Sequence, residues 1–223
     1  MNTEKSNFTE KDSLALITEM IGKAKDSYHD TGIAAIMWGS VIAFCSLVKI
    51  SELHFNYKLP FDIFLLTFLA VIPQLLLSHK ERKKQNVRTY NQVALDYTWT
   101  AFGIAIFLMV FVTNAVFAKL GAFNEVYISS TGKQDYFRFS EFTAALFLII
   151  YGLPTFITGA VMKFRPMLLG GIVCWVASIA CLFTPVKVDL LLTAIATIIA
   201  WLIPGIILYK KHLQRKAAIP AHV

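Results

Sequence analysis

Among the polar side chains inside the apolar stretches, four are the candidates with which this chain could bind or move something: Gln74, Asn114, Thr155 and Thr158. An amide or hydroxyl in an apolar medium needs a hydrogen-bond partner, so each serves its own helix or lines a polar cavity. Together they form the candidate cavity-lining set. Gln74 follows Pro73 and is expected to satisfy a carbonyl that the proline leaves free; Asn114 is expected to bond a neighbouring helix. Charged side chains keep to the borders of the apolar stretches, at Lys49, Asp62, Glu141, Lys163 and Arg165. A charge deep in a membrane costs at least about 2.5 kcal/mol and marks a pathway where it occurs. Its scarcity counts against a proton- or sodium-coupled pump. No paired aspartates, Ser/His pair or metal triad lies within the stretches, which counts against intramembrane proteolysis. No catalytic residue, metal ligand or cofactor is therefore expected. His29 and Asp30 are neighbours that would point in different directions on a helix, so they are no ready dyad.

The elements that must carry these residues are six long apolar runs, starting near Ile33, Phe61, Tyr97, Phe142, Met167 and Val188. Each is about 17–22 residues, and about 20 residues cross about 30 Å of hydrocarbon. The chain is 57% hydrophobic and 16% charged, with mean hydropathy +0.60; a soluble domain carries about a quarter charged residues. The fold class expected is an all-α, polytopic helical bundle with six transmembrane helices. Residues 1–31 form a cytoplasmic segment, 32–209 the six-span domain and 210–223 a basic cytoplasmic tail. Leu14, Ile17, Met20, Ile21, Ala24 and Tyr28 recur at helical spacing and predict an amphipathic helix over 12–29. The first thirty residues are polar, so no cleavable signal peptide is expected and the first run is expected to stay as an anchor. Pro60 suits the first turn of the second span. Between the third and fourth runs, residues 126–129 and 136–139 flank Gly132 and suggest a small β-hairpin. Cys45, Cys174 and Cys181 read as small buried apolar residues, an odd count unsuited to a disulfide framework.

The Lys and Arg residues sort by side. Fifteen fall at the N-terminus, over 80–88, at Lys163 and Arg165, and over 210–216; six fall in the alternate connections. The positive-inside rule puts the larger set, and both termini, in the cytoplasm. The net charge of +7 is explained by this border excess and does not call for nucleic acid. Lys80, Arg82, Lys83, Lys84, Lys210 and Lys211 are expected to meet lipid headgroups, at about 1 kcal/mol per favourable charge.

An internal pattern recurs three times. Outgoing runs carry Trp38, Trp99 and Trp175, each followed by small residues four apart: Gly39 and Ala43, Ala101 and Ala105, Ala177 and Cys181. Small residues at that spacing let helices approach closely. Returning runs carry Pro73, Pro154 and Pro204 near their inner ends, where each is expected to kink its helix. Three same-orientation hairpins, pairing runs one with two, three with four and five with six, would account for the pattern.

Gly32, Trp38-Gly39, Gly152-Leu153-Pro154, Gly159, Pro166, Gly170-Gly171, Trp175 and Leu202-Ile203-Pro204-Gly205, with Ala24-Lys25-Asp26-Ser27-Tyr28, together resemble an uncharacterised family of bacterial six-helix inner-membrane proteins. The resemblance implies six spans and the inner membrane, and no assigned activity. The three-hairpin layout is also similar to the mitochondrial carriers, but Gln74, Thr155 and Gly205 follow the prolines where that family's motif has an acidic residue. The expected function is that of a non-enzymatic sensor, scaffold or interaction protein. It would contact membrane lipids and offer its N-terminal helix to a cytoplasmic protein. The alternative is a transporter or channel for a small neutral or amphipathic compound.

Overall fold

The computed structural model describes Leu14 and residues 31–84, 89–133 and 138–218. The predicted amphipathic helix over 12–29, apart from the exposed, helical Leu14, lies outside the described residues. Among those residues the protein is all helical. The elements are α1 (Ile33–Phe55), a 3-10 turn (Ile63–Leu65), α2 (Leu66–Lys84), α3 (Tyr90–Thr131), α4 (Ser140–Val161), α5 (Arg165–Ala180), α6 (Val186–Thr197), a π segment (Ile198–Leu202) and α7 (Ile203–Ala218). The last three run on as one rod. Five helices are long and apolar enough to cross a membrane: Ile33–Phe55, Ile63–Lys80, Tyr90–Thr131, Ser140–Val161 and Val186–Arg215. The remaining one, α5, is apolar but has 16 residues, or about 24 Å of rise.

Local chemistry sets the boundaries. Asn56 ends α1 in the left-handed region. The Asp62 carboxylate accepts from the Phe64 N–H at 2.9 Å and starts the 3-10 turn. That cap moves the second helix past Pro60, which stands in the preceding bend and not in a first helical turn. Thr89 and Gln92 form a capping box, with Thr89 N–H to Gln92 Oε1 at 2.9 Å and Gln92 N–H to Thr89 Oγ1 at 3.4 Å, so α3 begins well before its apolar run.

The expected hairpin is overturned over 126–131. These residues continue α3, and Ser129, Ser130 and Thr131 donate to carbonyls three or four residues back. Extending a formed helix needs only one residue fixed per new bond. Gly132, the supposed turn, is the left-handed C-cap, with φ 68° and its N–H on Ile128 O at 2.8 Å. Tyr136 and Phe137 lie outside the described residues.

The turn from α4 to α5 closes in a Schellman arrangement: Phe164 N–H reaches Gly159 O at 2.8 Å, and Lys163 takes the left-handed position at φ 52°. Between α6 and α7, Pro204 has no N–H for the carbonyl four residues back. The ladder there widens into the π segment, which is the form the proline effect takes at this position.

The core lies among α1, α4, α5 and the α6–α7 rod, where Ile42, Leu148, Tyr151, Cys174, Ala200 and Trp201 are buried together. Among the described elements, the backbone of α2 packs only on α1 and the turn before it, and that of α3 only on α4. All three cysteines are buried and unbridged.

Candidate functional site

Two of the buried polar side chains, Thr155 and Thr158, stand on α4 just after Pro154. Pro154 cannot donate, and Thr155 and Thr158 face inward one and four residues later, both almost fully buried. Each hydroxyl donates back along its own helix: Thr155 Oγ1 to Tyr151 O at 2.7 Å, and Thr158 Oγ1 to Pro154 O at 2.6 Å. Their lone pairs are taken by indoles from two different helices. Trp201 Nε1, carried by the π segment, donates to Thr155 Oγ1 at 2.7 Å. Trp99 Nε1, from α3, donates to Thr158 Oγ1 at 3.1 Å. A third indole, Trp175 of α5, donates to Ile149 O at 3.2 Å. Three helices are thus tied to α4 by tryptophan N–H groups within a few turns.

Rings fill the space between these bonds. Tyr151 meets Trp201 at 4.9 Å, and Phe102 of α3 lies edge-on to Trp99, Tyr151 and Trp201 at 5.5, 6.1 and 6.0 Å. Edge-to-face pairs of this kind add about 0.5–1.5 kcal/mol beyond burial. Each threonine hydroxyl has its one proton and one of its two lone pairs engaged within the protein. The arrangement can hold helices in register; it presents no activated nucleophile.

The other sequence candidates lie apart from this hub. Gln74 does not serve the carbonyl freed by Pro73: its Oε1 accepts from Trp38 Nε1 at 3.2 Å, because α1 lies directly against α2. Asn114 does not reach another helix. It sits exposed on α3, which has no neighbour at that face, and its Nδ2 donates to Val110 O at 2.7 Å. Pro73 is inside α2 and exposed, whereas Pro154 and Pro204 are buried. Lys80 and Lys83 are exposed at the end of α2, and Arg82 and Lys84 belong to the same last turns. Lys210 and Lys211 are exposed on α7, with the Lys211 ammonium 5.3 Å from the Phe164 ring.

Of the three tryptophans in the recurring pattern, Trp38 bonds Gln74, one residue after Pro73, and Trp99 bonds Thr158, four residues after Pro154. Trp175 bonds α4, which is not its expected hairpin partner.

One furrow, of about 370 Å³, runs between α4 and α5 and is lined from Phe142 to Ile149 and from Trp175 to Leu182. No protein-family model, no curated protein and no solved structure matches this chain.

Of the buried polar residues that a reading of the apolar pattern misses, Asp189 and Ser46 each hold an atom without a well-formed hydrogen bond among the described residues. Asp189, in the first turn of α6, is 1% exposed; its Oδ1 accepts from Thr184 Oγ1, the Cys181 thiol faces the same carboxyl, and Oδ2 makes no well-formed hydrogen bond. Ser46 Oγ, on α1, is likewise buried without one. The signal for Asp189 is an acid one residue into the last apolar run, five residues after a threonine. Trp201 is missed as well, although it stands three residues before Pro204.

Proposed function

We propose that this chain is a six-span protein of the inner (plasma) membrane, with both termini in the cytoplasm, that works by interaction as a sensor or scaffold and not by catalysis. On this reading α5, although short, is the sixth span. Charge sorting supports the orientation: Lys163, Arg165, Lys210, Lys211 and Arg215 share the end of the bundle assigned to the cytoplasm.

The observation that carries the reading is the mutual satisfaction of the hub. Thr155 and Thr158, the most promising interior hydroxyls for a translocated solute, are closed by Trp201 and Trp99. A fixed core of this kind suits a platform for peripheral segments. The weakly held α2, the outrigger α3 and residues 1–31 are the parts that a partner would meet.

The test is co-purification from native membranes with the intact chain and with residues 1–26 removed. The truncated form is expected to insert normally and to lose its cytoplasmic protein partner. Failure of insertion after the cut, or sustained flux of a small neutral compound into liposomes holding only this protein, would overturn the proposal.

A further inference from the structure

Among the described residues, Asp189 is the one buried acid. It stands in the first turn of α6, just below the Thr184-Pro185 turn that follows α5. No cation among those residues pairs with it. Cys181, at the end of α5, faces it as a thiol. Glu141, at the start of α4, is exposed and carries the same sign. On α1, which packs along α6, Lys49 and Glu52 pair with each other at 2.9 Å, and His54 lies edge-on to Phe55. Lys187, on α6 itself, is exposed. The first N–H groups of the helix are spent as well: those of Val188 and Asp189 both reach Pro185 O, at 2.8 and 3.1 Å.

The hydrogen bonds around the carboxyl fall one proton short. Thr184 Oγ1 has a single proton and two acceptors in reach, Ala180 O at 3.1 Å and Asp189 Oδ1. Asp189 Oδ2 makes no well-formed hydrogen bond. With the carboxylate ionised, the Thr184 proton is divided between two oxygens, and a buried negative charge has only the Cys181 thiol besides. Such a charge is costly away from water. One added proton resolves both shortages. Oδ1–H then donates to Thr184 Oγ1, the Thr184 hydroxyl donates to Ala180 O, and the other carboxyl oxygen is left to the thiol. Thr184 is half-buried and Pro185 exposed, so the same hydroxyl is the polar link from the surface to the carboxyl.

We infer that Asp189 is a proton-binding site, loaded from the face of the bundle that carries the Thr184-Pro185 turn. One O–H bond forms at Oδ1, the proton comes from water at that face, and the carboxyl passes from −1 to neutral. In the proposed topology that face is extracytoplasmic, which gives the sensor a signal, acidity outside the cell; that step alone rests on the proposed function. The folded chain then holds one proton more than the unfolded chain, whose aspartates ionise near about pH 4. Stability therefore falls as pH rises through the release of that proton. Asp189→Asn imitates the loaded state and removes the dependence.

The test uses the full chain in nanodiscs, isotope-labelled at its aspartate carboxyls and followed by infrared spectroscopy. At about pH 6, aspartates in water are ionised about a hundredfold over their acids. The seven aspartates are therefore expected to leave one label-shifted band of a protonated carboxyl, lost in Asp189→Asn. Absence of that band from the wild-type chain overturns the inference, whether or not the variant folds, and so does a band that survives the substitution. In detergent unfolding, the folding constant of the wild-type chain relative to Asp189→Asn is expected to fall by up to about tenfold per pH unit; parallel pH curves overturn the inference. In sealed proteoliposomes of fixed orientation, the band is expected to follow the pH at the face of the Thr184-Pro185 turn. A response only to the opposite face overturns the route of loading, whichever face is cytoplasmic.

Discussion

Helices α3 and α4 are both apolar enough to cross a bilayer, yet 44% of the apolar window of α4 is buried and only 6% of that of α3. Hydropathy does not separate them, at 1.9 for α4 and 2.3 for α3. Their glycines do. Gly152 and Gly159 each have a neighbour inside the reach of a Cβ, whereas Gly103 and Gly121 have nothing within 4 Å. The same residue type is a contact surface in one helix and a gap in the other. In a membrane, lipid already satisfies apolar side chains, so close approach and hydrogen bonding decide which helices form the core.

The largest expected effect tests that division directly. Gly159→Ala should cost about 3 kcal/mol, at the upper end for overpacking, because its Cβ would meet the Leu168 backbone and not a side chain that can swing away. Gly103→Ala should be neutral or gain up to about 1 kcal/mol from helix propensity alone. Reversible unfolding in mixed detergent, followed by circular dichroism, gives both numbers. Equal costs at the two positions would abolish the distinction between core and outrigger.

The hydrogen bonds sharpen the comparison at smaller cost. Trp201→Phe removes a buried donor from the core rod and should cost about 2 kcal/mol, part of it from lost volume. Trp99→Phe, on the outrigger and only part-buried, should cost less than half as much. A double-mutant cycle of Trp201→Phe with Thr155→Val is expected to give a coupling near 0.6 kcal/mol and below about 1.7 kcal/mol, the range of interhelical bonds in membranes. A coupling of zero would make the 2.7 Å contact a by-product of ring packing.

Much of this architecture is legible in composition, because long charge-free runs have few alternatives to spanning helices. The small pairs are a fair guide to burial in α1, where Gly39 and Ala43 are buried, and in α5, where Ala177 and Cys181 are. They mislead in α3, where Ala101 is exposed. Spacing specifies a surface but not whether another helix arrives at it. Gly132 shows a second limit, since a glycine in the left-handed region serves a helix C-cap as well as a hairpin turn. The pairing of Trp201 with Thr155 joins residues 46 positions apart. No local pattern encodes that approach; it follows from where the π segment turns the indole.

The last comparison is between the two ends of the core rod. Its α7 end is exposed and basic, while its α6 end buries Asp189 with one oxygen that makes no well-formed hydrogen bond. Two substitutions should therefore move stability in opposite directions. Thr184→Val removes the partner of Oδ1 and should destabilise by about 1–3 kcal/mol, the cost of a buried group left unsatisfied. Asp189→Asn keeps an oxygen for Thr184 and removes a buried charge, so it should be neutral or stabilise by about 1 kcal/mol. Asp189→Asn should also recover part of the loss when combined with Thr184→Val. These shifts are read in the same detergent unfolding assay. If Asp189→Asn instead proves as damaging as Gly159→Ala, then the carboxylate is held by a proton donor, and the Cys181 thiol that faces it is the group to test next. The α6 end of the rod would then be a polar site as deliberate as the hub on α4.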